Sequence, residues 1–148
     1  MARDATAIAI QGPDSLSGNP LPTYNAPIGV TGGVPAFKGS TNTQANAACN
    51  VSLTAEVGRT NFLTQIIVTA TGATAASELD VNITNLVGGT LHMAFVIPVG
   101  ALVQATPLVI QFIPPIPATG TNVAINGNMG AAGAGNTQQT MALYGYSM

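Results

Sequence analysis

The chain reads as an all-β protein, an antiparallel β-sandwich with a jelly roll as the favoured arrangement, behind an extended N-terminal arm. Three observations predict it. From Val51 onward apolar residues alternate with polar ones at period two, the spacing of a half-buried strand. Gly/Pro/Asn clusters interrupt that pattern every 10 to 15 residues or so, the rhythm of a sandwich or barrel. No stretch carries the three-to-four-residue periodicity of an amphipathic helix.

The elements follow in order. Residues 1–50 are rich in Pro, Gly, Asn, Ser and Thr, as in GPDSLSGNPLPTYNAPIGVTGGVP, with turn dipeptides and no sustained period. Such a segment buries too little apolar surface to collapse alone. Its beads Leu16, Leu21, Tyr24, Ile28, Val30, Val34 and Phe37 suggest an arm that orders against neighbouring subunits. The sandwich domain is expected over 51–148.

Val51, Leu53, Ala55 and Val57 alternate with Ser52, Thr54 and Glu56 as a first strand. Phe62 to Thr71 is a second, weighted by the β-branched Ile66, Ile67 and Val68. Leu79, Val81 and Ile83 alternate with Glu78, Asp80, Asn82 and Thr84 as a third. Asn85 to Gly89 makes a turn in which Gly88-Gly89 supply positive φ. Thr90 to Ile97 is the next strand, with Leu91, Met93, Phe95 and Ile97 on one face. Further strands are expected at Leu108 to Ile113, Asn122 to Asn126 and Thr140 to Tyr146. The prolines at 98, 107, 114, 115 and 117 are placed at strand ends, where a missing N–H does least harm. About eight strands suit a jelly roll better than a minimal immunoglobulin domain.

Composition narrows the functional classes. The chain has 148 residues, enough for one domain with a real core. Charged residues are only 5%, against about 25% in an average domain. From Val81 to Met148 there is no Asp, Glu, Lys or Arg, and His92 is the only histidine. Charge keeps free monomers wetted and apart, so its absence points to a surface packed against other subunits. With Arg3, Lys38 and Arg59 as the only basic residues, no phosphate-tracking surface exists and nucleic acid is not an expected partner. The longest nearly apolar run, Met93 to Val103, holds Pro98 and Gly100 and falls short of the roughly 20 residues of a spanning helix. No membrane partner is expected, and MARDATAIAIQG does not read as a secretory signal. Cys49, the only cysteine, reads as a passive small side chain.

Little in the chain suggests chemistry. His92 lacks an evident orienting partner and nucleophile, so it reads as a structural residue at an interface. Glu78, Asp80 and Asn82 share one strand face about 7 Å apart, an oxygen set thinner than a calcium loop, and read as the solvent side. Gly127 to Asn136, GNMGAAGAGN, lacks the Lys-Ser/Thr of a phosphate loop and reads as a flexible or close-packed turn. Asn50-Val51-Ser52 and Asn82-Ile83-Thr84 match the glycosylation sequon by chance. No catalytic set, metal site or cofactor is expected.

The successive segments TNFLTQIIVTATGATAAS, VNITNLVGGTLHMAFVIPVGA, PLVIQFIPPIPATG and GAGNTQQTMALYGYSM resemble small virion proteins of tailed bacteriophages, in particular the jelly-roll capsid decoration (cement) proteins of the Bordetella-phage type. The resemblance spans roughly residues 50–148 and rests on strand texture. It implies a non-enzymatic jelly roll on the outer surface of the virion capsid. There it would act as a homodimer or homotrimer, bridging subunits of the major capsid protein. It carries over no site residues. The interface residues expected from the sequence are Leu21, Tyr24, Ile28, Val30, Phe37, His92, Tyr144 and Tyr146. Two other readings compete: a fibre-tip or head-fibre module binding host surface glycans through its few tyrosines, and a tail-tube or adaptor subunit.

Overall fold

The computed structural model describes residues 34–148, so the expected arm residues Leu16, Leu21, Tyr24, Ile28 and Val30 lie outside it. The described residues hold eight strands: β1 (Ala36–Gln44), β2 (Cys49–Leu53), β3 (Thr60–Ala70), β4 (Ser77–Leu86), β5 (Gly89–Ile97), β6 (Leu108–Thr121), β7 (Ile125–Met129) and β8 (Gln139–Ser147). They form two antiparallel sheets, β1-β8-β3-β6 and β2-β7-β4-β5. First pairs with last, second with seventh, third with sixth and fourth with fifth. That nested pairing is a long hairpin wrapped into two sheets, which is the jelly roll.

The expected strands are present with shifted ends. The turn between β4 and β5 forms as read, with φ of 101° at Gly88 and 108° at Gly89. Inward side chains of both sheets meet in one core, where Leu53, Leu63, Ile66, Ile83, Ile125 and Leu143 are almost fully buried. Gly127 sits inside β7 with its inward position already filled by the side chains of Met141, Val51 and Ile83. A Cβ would lie 2.6 Å from Met141 Cε and 2.8 Å from Val51 Cγ2. The run from Gly127 to Asn136 is therefore part strand and part pinned loop. Buried Gln139 holds that loop, donating to the Gly130 carbonyl at 2.8 Å and accepting from the Ala132 N–H at 2.7 Å.

Two expectations need correction. The sandwich begins at Ala36, not at residue 51, because Ala36–Gln44 pairs along its whole length with β8. Its inward residues are polar, so no apolar alternation marks it. They serve the open edge of β2 instead: Ser40 Oγ accepts from Ser52 N–H at 3.1 Å, Asn42 Nδ2 donates to the Asn50 carbonyl at 3.0 Å, and Lys38 Nζ donates to the Thr54 carbonyl at 2.8 Å. Side chains thus satisfy main-chain groups that would otherwise face no partner.

Pro114, Pro115 and Pro117 do not end a strand but lie within β6. Gln65 faces Gln111 while Leu63 faces Ile116, so residues 112–115 bulge out of the ladder. A bulge on an edge strand asks no ladder N–H of a proline. Beyond it the strand reaches the other sheet, with Leu86 opposite Ala118 and Val87 N–H donating to the Pro117 carbonyl at 2.9 Å.

Candidate interface on the β1-β8-β3-β6 sheet

Alternation decides which side chains this sheet shows to the outside. With Leu63, Ile66, Val68, Met141 and Leu143 turned inward and buried, the intervening residues face out, and the register aligns them in rows across the strands. Phe37, Tyr146, Phe62 and Pro117 form the first row; Gly39, Tyr144, Gln65 and Gln111 the second. Thr41, Ala142, Ile67 and Val109 form the third, and Thr43, Thr140 and Thr69 the fourth. The tyrosines are the only ionisable groups in the four rows.

The first two rows carry the aromatic surface. Phe62 and Tyr146 stack with centroids 5.1 Å apart and planes at 13°, an offset arrangement that aromatic pairs favour. Phe37, next across the sheet, has no such cover and is 88% exposed. Gly39 makes room for Tyr144: a Cβ there would sit 3.2 Å from the ring's Cδ1. Further along, the Thr43 and Thr140 hydroxyls are 2.9 Å apart, so each offers polar contact without charge. Val109 is 53% exposed and Ile113, on the β6 bulge, 90%. Phe37, Val109, Ile113 and Tyr144 are four of the eleven large hydrophobics exposed among the described residues, and their meeting on one charge-free face is what an interaction surface looks like.

The outer face of the other sheet has a different chemistry. Asn50, Asn128, Asn82 and His92 lie in one row, and Ser52, Asn126 and Thr84 in the next. Asn128 Nδ2 donates to Asn50 Oδ1 at 2.7 Å and Ser52 Oγ to Asn126 Oδ1 at 2.8 Å. Glu78 and Asp80 project from the same face as expected, and no group of three His, Cys, Asp or Glu side chains gathers among the described residues. His92 does have a carboxylate neighbour, contrary to the sequence reading: Asp80 Oδ2 on the adjacent strand lies 3.4 Å from its Nδ1. Both side chains are largely exposed.

Of the expected interface residues, Phe37, Tyr144 and Tyr146 come together on the charge-free face, whereas His92 lies on the opposite side of the sandwich. Sequence reading missed Phe62, Gln65, Ile67, Thr69, Val109 and Gln111 as members of that face. Period-two alternation marks them as outward but gives no row partners until the register is known.

The remaining charges gather elsewhere. Of the five charged residues described, Lys38, Glu56 and Arg59 form one cluster where β1 enters the sheet. Glu56 Oε2 lies 3.1 Å from Lys38 Nζ, Glu56 Oε1 lies 3.0 Å from Arg59 Nε, and Ser147 Oγ donates to Glu56 Oε2 at 2.7 Å. The Ser147 hydroxyl first, and then Lys38, hold the Glu56 carboxyl below its usual range. Burial, the dominant influence at Cys49, pushes that thiol up and away from the reactive thiolate. No protein-family model matches the chain, and no curated protein matches it either.

Proposed function

We propose that this protein is a non-enzymatic virion component that decorates and cements a phage capsid, bridging major capsid subunits from the outer surface and working as a homo-oligomer. The observation carrying the reading is the outer face of the β1-β8-β3-β6 sheet. It is four strands wide, free of formal charge, and bears Phe37, Tyr144 and Ile67 on a rigid sandwich. Burying such a surface yields about 25 cal/mol per Å² of apolar area, before association costs. Threonine and glutamine side chains between the apolar groups supply neutral hydrogen bonds. The phage setting comes from the resemblance of residues 50–148 to decoration proteins.

A neutral interface is weakly screened, so attachment should persist in concentrated salt. The test is to localise the protein in intact particles by electron microscopy and then wash those particles in high salt. Protein on the outer shell, retained after washing, is the expected result; wholesale release would refute a mainly apolar contact. Glycan binding is the second reading. It is favoured by Tyr144 sharing a row with Gln65 and Gln111, since an aromatic face flanked by amides suits a sugar ring. Binding to host polysaccharide without binding to capsids would decide for it.

A further inference from the structure

Lys38 is one of three basic residues in the whole chain, yet it points into the sandwich with a side chain only 16% exposed. Register explains how it gets there. Lys38 lies opposite Gly145 of β8, and Gly145 lies opposite Leu63 of β3. From there the lysine reaches past β8 to Asn61 on β3. Its Nζ is 3.1 Å from Asn61 Oδ1 and 3.1 Å from Glu56 Oε2. Asn61 is 1% exposed. Its Nδ2 donates to the carbonyls of Leu53 at 3.0 Å, Thr54 at 3.1 Å and Val123 at 2.8 Å, which fixes the amide plane and leaves its carbonyl end facing the lysine.

The amine thus touches both a carboxamide and a carboxylate, with the Thr54 carbonyl at 2.8 Å as its third partner, and an amine, a carboxamide and a carboxylate are the components of an amide exchange. We propose that Lys38 and Asn61 join in an intramolecular isopeptide bond, with Glu56 as the proton carrier. Glu56, kept ionised by Ser147 and Lys38, accepts one proton from the Lys38 ammonium only transiently, and rotation about Cε–Nζ turns the freed lone pair toward Asn61 Cγ. The Nζ–Cγ bond forms and the Cγ–Nδ2 bond breaks. Nδ2 takes the second Nζ proton and leaves as ammonia, and the proton on Glu56 follows it to give ammonium. One ammonium and one primary amide become one secondary amide and one ammonium, so neither oxidant nor reductant is required. Fixing amine and amide in contact makes the step intramolecular, the source of large effective concentrations. The partly open Glu56 gives the ammonia a way out. The product ties β1 to β3 across β8. This inference stands apart from the capsid proposal and depends on none of it.

Mass spectrometry of the purified full-length chain tests it. The expected intact mass is lower than the sequence mass by one ammonia. Trypsin should leave residues 4–59 and 60–148 joined in one species, uncut after Lys38. The full sequence mass, with a free 39–59 peptide, would overturn the proposal and leave a hydrogen-bonded ion cluster. Loss of ammonia with normal cleavage after Lys38 would overturn it too, since that is cyclisation at an asparagine. Glu56→Ala should restore the full mass in a chain that keeps its β-sheet circular dichroism. A cross-linked Glu56→Ala chain would refute the role given to Glu56.

Discussion

Replacing Phe37 with alanine separates the charge-free face from the rest of the molecule. The side chain lies at the edge of the aromatic row and is 88% exposed. A phenylalanine presents roughly 200 Å², so docking that covers it would withdraw about 175 Å² from water, worth about 4 kcal/mol. The alanine keeps its own Cβ, which leaves a difference of about 3 kcal/mol, or roughly two orders of magnitude in Kd. In the free protein the ring buries almost nothing, so the unfolding free energy should move by less than about 0.5 kcal/mol. The assay is titration of wild type and variant onto capsids lacking the protein, with denaturant melts run alongside. His92→Ala, on the opposite sheet, serves as the surface control and should bind as wild type. Undiminished binding by Phe37→Ala, or a matching loss in His92→Ala, would refute the assignment of this face as the contact.

Two further outcomes concern the scaffold. Gln139→Leu fits the volume but orphans the Gly130 carbonyl and the Ala132 N–H beneath the loop, and should cost about 1–3 kcal/mol per group, read by urea denaturation. Glu56 gives a pH signature: its folded pKa is lowered by Ser147, Lys38 and Arg59, so its contribution is present above the unfolded value near 4.5 and fades as pH falls through the folded one. The stability gap between wild type and Ser147→Ala, which removes the largest cause, should therefore narrow on acidification; a gap that widens would contradict the sign.

Strands such as β2 and β4 were legible because buried Val51, Leu53, Leu79, Val81 and Ile83 alternate with polar residues, and β3 because of its β-branched run, patterns a single sequence displays directly. β1 was not, because Lys38, Ser40 and Asn42 turn inward to bond the edge of β2, and only the fold reveals those partners. The prolines of β6 misled for a related reason: a missing N–H argues for a strand end unless a bulge on an edge excuses it. Phe37, as a bead of the arm, and Tyr144 and Tyr146 were among the interface residues expected from the sequence, but their meeting on one face depends on register.

The amino-acid sequence by itself determined an all-β chain with a neutral second half, since period-two patterning and the absence of charge are local properties. Tertiary structure alone decided where that neutrality faces. Wrapping the hairpin set Thr41, Ala142, Ile67 and Val109 side by side on one sheet. It left the asparagines, Glu78 and Asp80 on the other, and brought Lys38 to Asn61 beneath β8. Contacts between residues far apart in the chain arise from strand pairing, which no local pattern encodes.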